Sequence, residues 1–420
     1  MKRTALLAGV VLASVVGVAG TATTAGAAPA RVVGVADAAT TAGAVPAQAA
    51  AGLSAGAGSG VASAASWQLA VPETAGAFAG SAVAVSGPVA VVGVPGRDSA
   101  RGAAYVFARK GAKWPRQAVL TASHGAVAAD FGDSVAVSGS VAVVGAPFYK
   151  QGVAYVFARN GTKWLQQAVL AAPRGAGPVF ATSVAVSGST AVIGAPGSAD
   201  GAAYVFVRKG TKWSQQARLT ASDGAKGALG NSVAVSGSMA VVGAPGGNSG
   251  TGVAYVFVRE GTAWSQQAAL SASGGAKGDS FGNSVAVSGP VAVVGAPGRN
   301  TDAGAAYVFV RKGATWSQQT ELKASDAAAG DSLGWSVAAS GSVAVLGAPG
   351  RKSSTGAAYL FARSGSTWSQ LAELTDPAVA GGDFFGVAVA MSGSTAVIGA
   401  SGANRGAGAA YIVSYAEGSL

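Results

Sequence analysis

The sequence contains no cysteine, and this absence excludes two kinds of protein. Neither a disulfide framework nor a thiolate metal site can be built from its 420 residues. Histidine is almost as scarce: His124 is the only one, so a zinc site made of several imidazoles is excluded as well. Charged residues make up only 11% of the chain and aromatic residues only 7%.

Small and apolar residues make up most of the remaining composition. Half of the chain is hydrophobic and 65 residues are glycine, which is enough material for one large domain or two ordinary ones. The apolar residues are mostly Ala and Val. A composition rich in Gly and Val and poor in charge favours many short strands joined by tight turns.

The N-terminal region differs from the rest of the chain. Lys2 and Arg3 precede an apolar stretch that ends in small residues suited to cleavage, so residues 1–30 are predicted to be a secretory signal peptide. Residues 31–65 are nearly all small, without a usable period, and are predicted to be a disordered spacer. No second apolar stretch follows, so we expect a secreted, extracellular protein without a membrane span.

One unit is repeated along the remainder of the chain. Seven near-copies begin at residues 78, 131, 180, 229, 281, 333 and 385, with FGNSVAVSG at 281 as a representative start. Each copy divides into four predicted strands, which in the third copy are 183–187, 190–196, 202–208 and 212–221. The first three strands are apolar at nearly every position, so both of their faces must be covered, as they are in blades packed side by side.

The two ends of the repeat region complement each other. The seventh copy lacks its fourth strand, while Ser66-Trp67-Gln68-Leu69 precedes the first copy and resembles Trp368-Ser369-Gln370-Leu371. We therefore predict that an N-terminal strand near Trp67 completes the last blade and that each blade contains one Trp. The predicted fold is all-β, a closed seven-bladed β-propeller over residues 66–420 with four antiparallel strands per blade. Closure removes the open edges that invite aggregation.

The repeat resembles a known family. Phe281-Gly282 starts a unit, Gly295-Ala296-Pro297 ends its second strand, and Tyr307-Val308-Phe309 lies on its third. These residues resemble the FG-GAP repeat, the unit of the integrin α-subunit propeller and of many secreted bacterial proteins. The resemblance covers about residues 66–420 and implies the propeller fold. It implies little about activity, because propellers host many functions.

Calcium loops are a frequent feature of that family, in the form Asp-x-Asp-x-Asp-Gly between the first two strands. The corresponding turns here, such as 86–88, 138–140 and 236–238, contain Ser and Gly without a carboxylate. Calcium requires six to eight oxygen ligands, some of them charged. We therefore predict no metal in these loops and no cofactor.

A lipase-like motif, Gly330-Asp331-Ser332-Leu333, occurs once. Residues 278–282 and 382–386 occupy the same repeat position, so the motif is predicted to be an inter-blade turn. A serine nucleophile also requires a base, and His124 lies in another blade.

Four acidic residues of the inter-blade loops could face one another around the ring or cap their own turns: Asp130, Asp279, Asp331 and Asp383. We predict a non-enzymatic protein. A secreted hydrolase or lyase with an Asp/Arg site at the central channel is the alternative.

Candidate ligand-binding residues come from a comparison of the seven copies. The loop between the second and third strands varies most and is expected on one face of the propeller. Phe148 and Tyr149 stand where other copies have small residues, and Trp335 replaces Asn at the channel end of the first strand. The candidates are Arg97, Asp98, Phe148, Tyr149, Arg299, Asp302, Trp335, Arg351 and Lys352.

The opposite face is predicted to be basic. Six arginines follow the third strands, and they form either a ring for anionic polymers or simply solubilising charge. They are Arg109, Arg159, Arg208, Arg259, Arg311 and Arg363.

The leading hypothesis is an extracellular, non-enzymatic binding or adhesion propeller that recognises a protein or glycan through its variable loops. An anionic cell-wall polymer is a further candidate partner, and we expect a monomer without a specific nucleic-acid partner. A purely structural surface protein is the third alternative.

Calcium titration tests the prediction about the loops. We expect no stoichiometric binding of Ca²⁺ near micromolar affinity in isothermal titration calorimetry, because Ser-Gly turns lack charged oxygen ligands. A one-to-one or higher stoichiometry would contradict it.

Overall fold

The propeller is seen in a computed structural model that describes residues 54–55, 65–198, 200–224, 227–376 and 380–415. Seven antiparallel sheets are present, and the first strand of each contacts the first strands of both neighbouring sheets in a continuous ring. The prediction of an all-β seven-bladed propeller with four-stranded blades is confirmed. The predicted signal peptide, and the predicted spacer apart from residues 54–55 and 65, lie outside the described residues.

Each blade runs outward from the central axis in chain order. The inner strands are Val83–Ser86, Ser134–Ser138, Val184–Ser187, Ser232–Ser236, Val285–Ser288, Ser336–Ser340 and Phe385–Ser392. The second strands are Val89–Val94, Val141–Ala146, Thr190–Ala195, Met239–Ala244, Val291–Ala296, Val343–Ala348 and Thr395–Ala400.

The outer half of each blade contains the longer strands. The third strands are Ala103–Ala108, Val153–Asn160, Ala202–Lys209, Val253–Glu260, Ala305–Lys312, Ala357–Ser364 and Ala409–Ser414. The outer strands of blades 1 to 6 are Arg116–Leu120, Lys163–Ala171, Lys212–Leu219, Ala263–Leu270, Thr315–Leu322 and Thr367–Thr375. Short helical turns follow five second strands at Arg97–Ala100, Gly247–Gly250, Arg299–Asp302, Arg351–Ser354 and Ala403–Gly406.

The hydrophobic core lies between blades. All six residues of every second strand are buried, because a neighbouring blade covers each side of the sheet. Val91 and Val106 of blade 1, for example, belong to one cluster with Val144 and Tyr155 of blade 2. Burial of a valine side chain stabilises the fold by about 1.5 kcal/mol, so apolar packing between blades is the main source of stability.

The seventh sheet combines both ends of the described chain. The strand Ala65–Gln68 pairs antiparallel with Ala409–Ser414, with Gln68 opposite Tyr411. The Leu69 N–H then donates to the Ala410 carbonyl at 2.8 Å. Three strands from the C-terminal end therefore receive their fourth strand from the N-terminal end.

The register of this strand corrects one sequence interpretation. The repeat tryptophans lie opposite the end of the third strand, as in the pair Trp213 and Arg208. Trp67 instead lies opposite Ile412, the position that Ala217 occupies in blade 3. The interpretation of Trp67 as the seventh repeat tryptophan is therefore wrong, although the strand that contains it occupies the predicted place in the sheet.

A short strand adds to blade 6. Ser54–Ala55 pairs antiparallel with the outer strand, with Ser54 opposite Thr375 and Ala55 opposite Leu374. This pairing lies within the segment that the sequence analysis assigned to a disordered spacer and was not predicted.

The glycines of the repeat motif lie where adjacent blades touch. The second-strand glycine of each blade contacts the backbone of the next blade's first loop, which is the loop that leads into its inner strand. A Cβ atom on the glycine would overlap a carbonyl oxygen of that loop. Gly93 meets Gly132 in this way, and Gly399 of blade 7 meets Gly80 of blade 1. The N–H of Gly132 also donates to the Gly145 carbonyl at 2.9 Å. Only a residue without a side chain permits this approach.

Serines link the opposite ends of the inner strands. The hydroxyl of Ser86 accepts the N–H of Gly139 in the next blade at 3.1 Å, and Ser138 accepts the N–H of Gly188 at 3.0 Å. Ser392 accepts the N–H of Gly87 at 3.0 Å, which joins blade 7 to blade 1. The Ser-Gly turns therefore form inter-blade hydrogen bonds at the position where calcium loops occur in the family it resembles.

Replacement of Gly399 by Ala tests the contact that joins blades 7 and 1. The added methyl group overlaps the Gly80 carbonyl, so we expect a loss of about 3 kcal/mol in the free energy of unfolding. The shift of the urea midpoint measures it.

Gly125→Ala is the matched control. At this position a Cβ atom meets no neighbour closer than 3.5 Å, so we expect a change within about 0.5 kcal/mol. Equal urea midpoints for Gly399→Ala and the wild type would show that the glycine contact is not required.

Candidate binding site at the mouth of the central channel

Two faces of the propeller differ in construction. We define the loop face as the loops between second and third strands together with the inter-blade loops. Backbone hydrogen bonds join these two loop types, as from Asp130 N–H to Ala100 O at 2.8 Å. We define the hairpin face as the opposite face, where the Arg109 N–H donates to the Pro88 carbonyl at 2.7 Å.

The five short helical turns of the loop face are left-handed inside. In blade 6 the φ angles of Lys352, Ser353 and Ser354 are 47°, 58° and 64°, and the Ser354 N–H donates to the Gly350 carbonyl at 3.1 Å. Residues with a side chain rarely adopt this conformation, at a cost of about 1 kcal/mol each. The same backbone recurs after Gly96, Gly246, Gly298 and Gly402, so the loops have a shared conformation despite their different sequences.

Arg351 is buried beneath one of these turns. Its guanidinium lies 3.2 Å from Asp331, 3.3 Å from Glu373 and in contact with Asp326. The Asp326 carboxylate also accepts the hydroxyl of Tyr359 at 3.0 Å. This cluster ties the loop of blade 6 to the inter-blade loop before it.

Arg299 and Arg97 form similar clusters in blades 5 and 1. Arg299 Nη1 donates to Asp279 at 3.0 Å and to the Gly274 carbonyl at 2.7 Å. Arg97 donates to the Tyr105 hydroxyl at 3.0 Å and lies 3.7 Å from Glu73. The three arginines predicted as ligand contacts are therefore engaged in holding the blades together.

Tyrosines near the start of several third strands donate to carboxylates of the inter-blade loops. Burial, together with the hydrogen bond to Glu73, raises the pKa of Tyr105 to about 12. Burial and the hydrogen bond to Asp223 likewise raise the pKa of Tyr255. In blade 3 the Tyr204 hydroxyl has no hydrogen-bond partner among the described residues, and Arg174 stands at the repeat position of Asp223.

The remaining predicted ligand-binding residues of the loops differ in their exposure to solvent. Asp98, Asp302 and Lys352 are exposed. Phe148 is 48% exposed, whereas its neighbour Tyr149 packs on the core between blades 1 and 2. The predicted aromatic pair thus supplies one exposed ring, not two.

Ser332 lies in an inter-blade turn, as the repeat comparison predicts. Its φ angle is 58°, and the equivalent residues Ser280 and Phe384 have 56° and 55°. Leu333, which follows it, is completely buried. His124 is exposed in the loop between blades 1 and 2, with its ring nitrogen 2.9 Å from the Ser123 hydroxyl.

The aspartates of the inter-blade loops have two different roles. Asp279, Asp331 and Asp383 each accept the backbone N–H three residues earlier, at 2.8, 2.9 and 2.6 Å. They cap their own turns. Asp130 instead lies next to Asp133 at the channel, and its carbonyl accepts the Asp133 N–H at 3.0 Å.

A ring of seven side chains of six different types surrounds the mouth of the central channel on the loop face. Each blade contributes one residue, which lies just before its inner strand or, in blade 7, near the start of that strand. The ring consists of Ser81, Asp133, Thr182, Asn231, Asn283, Trp335 and Val387. The core positions on either side repeat closely from blade to blade, so this ring is a site of divergence on a uniform scaffold.

Amide side chains orient part of the mouth. Asn231 Nδ2 donates to the Asn283 carbonyl at 3.2 Å, and Asn283 Nδ2 donates to the Trp335 carbonyl at 3.1 Å. Both asparagines and Trp335 line the cavity. The buried hydroxyl of Ser81 has no hydrogen-bond partner among the described residues.

Among the described residues that line this cavity, only Asp133 has an ionisable side chain. Burial and the neighbouring charge of Asp130 raise its pKa to about 7. Burial also raises the pKa of Asp130 to about 6. Near neutral pH the Asp133 carboxyl can therefore both donate and accept a hydrogen bond. Within the described residues no arginine borders the cavity, so the arginine–aspartate clusters lie between blades rather than at the channel.

Deeper in the channel the lining becomes uniform. Serines follow the mouth residues in blades 2 to 6, and each donates to a carbonyl of the next blade, as Ser134 does to Ala181 at 2.8 Å. One valine per blade lies below them and makes the floor apolar. The cavity has a volume of about 230 Å³, below the range of about 300–1,000 Å³ that drug-sized ligands occupy, and suits a single small ring.

Sequence reasoning identified Trp335 but missed the other polar members of the mouth, Asp133 above all. The signal was present in the seven copies, because the residue before the inner-strand serine differs in nearly every unit. The loops between strands drew attention by varying in length, whereas this position varies only in chemistry.

The six predicted arginines of the basic ring do lie on the hairpin face. Arg109 is exposed and the other five are half-buried. Arg159 Nε donates to the Gly161 carbonyl at 2.8 Å, and the Arg259 guanidinium lies over the ring of Trp264 at 5.9 Å.

The fold and the channel define a β-propeller built from FG-GAP-type units. The family model described as the FG-GAP repeat matches six segments that together exceed half of the chain: residues 114–157, 164–206, 213–257, 264–309, 316–361 and 368–413. The chain belongs to the FG-GAP repeat family. No curated protein matches it.

The matched segments are offset from the blades. Each begins at the tryptophan of one outer strand and ends in the third strand of the next blade. The first blade's three inner strands and the N-terminal strand Ala65–Gln68 lie outside the matches, although they complete the ring. FG-GAP repeats are typical of extracellular proteins. None of the described helices is long and apolar enough to cross a membrane.

The raised pKa of Asp133 predicts a pH dependence of stability. The folded state holds a proton up to about pH 7, whereas an unfolded aspartate releases it near pH 4, so stability falls as pH rises between these values. Asp133→Asn removes this contribution. We expect the drop in urea midpoint from pH 5 to pH 8 to be smaller in the variant.

Asp98→Asn serves as the control, because Asp98 is exposed. It should retain the pH dependence of the wild type. An identical drop in the Asp133→Asn variant would show that Asp133 does not titrate in this range.

Proposed function

We propose that this protein is an extracellular, non-enzymatic binding module that recognises a glycan at the mouth of its central channel. FG-GAP propellers are in general binding or adhesion modules, which supports the broad assignment. The more specific assignment to a sugar depends on the side chains of the mouth.

The divergence of one ring position is the observation that carries the proposal. A purely structural propeller does not require six different residue types at seven equivalent positions of the channel mouth, since the next position is Ser or Ala and the one after it is Val in every blade. Divergence at a concave position of a rigid scaffold is typical of a binding site.

The chemistry of the mouth suits a neutral sugar ring. The indole of Trp335 offers an aromatic face for the C–H side of a pyranose, and Asn231, Asn283 and Asp133 offer donors and acceptors for hydroxyl groups. The unpartnered Ser81 hydroxyl adds a further polar atom. The apolar floor matches the size of one ring rather than an extended chain.

Trp335→Asn tests the proposal with a residue that the propeller already has at this position in other blades. Asparagine occupies the same position in blades 4 and 5, so this variant should retain the wild-type urea midpoint. We expect binding on a glycan array, followed by calorimetry with the free monosaccharide that binds best, to weaken at least about tenfold, because aromatic contacts of this kind contribute roughly 1–2 kcal/mol.

Phe148→Ala is the matched control on the same face. Phe148 is exposed but lies in a loop of blade 2 away from the cavity lining, so sugar affinity should be unchanged. Loss of affinity in Phe148→Ala with retention in Trp335→Asn would move the site to the loops. Absence of any glycan ligand for the wild type would contradict the proposal.

A further inference from the structure

The hairpin face concentrates positive charge. The turns between third and outer strands, together with the strand ends beside them, carry the six arginines of the basic ring and six exposed lysines: Lys110, Lys113, Lys163, Lys209, Lys212 and Lys312. The only carboxylate in these turns is Glu260. Twelve cations therefore face one anion, a net charge of +11 on this face.

The rest of the described chain has nearly balanced charge. It contains twelve Lys and Arg residues and fourteen Asp and Glu residues. Among the described residues, the ion pairs that involve arginine lie on the loop face, at Arg97, Arg299 and Arg351. The excess charge of the protein is thus confined to one side of the disc, which creates a directional field.

The cations of the hairpin face are available to a ligand. In the described part of the chain, no carboxylate lies within 4 Å of any of the twelve. Backbone carbonyls hold two guanidiniums in place through Nε, those of Gly111 for Arg109 and Gly161 for Arg159. Pre-ordering of an arginine reduces the entropy lost on binding, so these side chains suit a repeated anion.

The same turns lack the features that read nucleic-acid bases. The tryptophans next to them are buried or half-buried, and five of them donate to a glutamine of the preceding blade, as Trp164 does to Gln117 at 2.9 Å. Single-stranded nucleic acids usually stack their bases on exposed aromatic rings. A polymer recognised through its backbone charge fits better, and lysine ammonium groups are common phosphate ligands.

We propose that the hairpin face binds a linear polymer with a phosphodiester backbone and no bases. Six of the seven blades present cations, so successive phosphates of one chain can contact several blades at once. Binding of this kind releases counterions and depends steeply on salt. The site is separate from the channel mouth on the loop face and does not depend on the proposed sugar recognition.

The experiment measures binding of fluorescently labelled poly(glycerol phosphate) by anisotropy. For the wild type we expect the affinity to fall by about 10³-fold between about 50 and 200 mM salt, as expected for six or more phosphate contacts. Replacement of the six lysines by Gln should weaken binding at least about tenfold at fixed salt.

A second variant distinguishes an effect of the hairpin face from an effect of the protein's net charge. Replacement of six exposed cations outside the hairpin face by Gln gives the same formal charge of +5 as the first variant: Arg101, Lys150, Arg174, Lys277, Lys352 and Arg405. This variant should bind within about twofold of the wild type. Equal losses in both variants would mean that only net charge matters, and would overturn the proposal.

Two further outcomes also overturn it. One is no binding of the polymer by the wild type at about 50 mM salt, where phosphate contacts are strongest. The other is tighter binding of single-stranded DNA than of poly(glycerol phosphate), which would make a nucleic acid the partner. Trp335→Asn should leave polymer binding unchanged, so failure of this proposal and of sugar recognition can be distinguished.

Discussion

The contact between the second-strand glycine of one blade and the first loop of the next determines how this propeller is assembled. The backbones approach so closely at Gly93 and Gly132 that no side chain fits between them. The same contact at Gly399 and Gly80 joins the last blade to the first. Once the blades are held at this separation, valines and tyrosines of adjacent sheets form one apolar core per interface.

Polar interactions then secure the two faces in different ways. Ser-Gly hydrogen bonds join the hairpins around the axis, and arginine–carboxylate clusters, buried in blade 6 and half-buried in blades 1 and 5, join the loops of these blades to the preceding inter-blade loops. Buried ion pairs contribute less net stability than their geometry suggests, because desolvation of the charges offsets much of the attraction. Their effect here is to set the position of the loops and so the shape of the channel mouth.

These two kinds of contact explain which polar groups remain exposed on the two faces. Some charged loop residues that the sequence suggests as ligand contacts, such as Arg351, instead form ion pairs within the propeller. The channel mouth and the hairpin face are the surfaces where polar groups remain exposed and vary or accumulate. One presents a small, mostly uncharged concavity; the other presents a broad array of cations.

Much of the fold could be predicted because the repeat displays its own geometry. Near-continuous apolar strands repeated in seven copies specify the blade number, and the missing final strand indicates where the N-terminal strand belongs. The register of that strand could not be predicted, because a tryptophan in the segment matched the repeat pattern by composition alone. Backbone hydrogen bonds place Trp67 opposite Ile412 instead.

The candidate site at the channel mouth was predicted only in part, for a similar reason. Trp335 departs from its repeat neighbours visibly, whereas Asp133 differs from them by a residue type that is common on any surface. Its significance arises from the closed ring, which brings residues about fifty positions apart to one small cavity and partly shields a carboxyl group from solvent there.

By itself, the sequence determined the architecture: the strand pattern, the number of blades, the glycines at their interfaces and the basic composition of the hairpins. These follow from local patterns that repeat along the chain. Only the tertiary structure decided which charged side chains are internal and which face outward, because Arg351 and Lys352 are neighbours in sequence yet one is buried and the other exposed. A left-handed turn makes that difference, and it is set by contacts between blades.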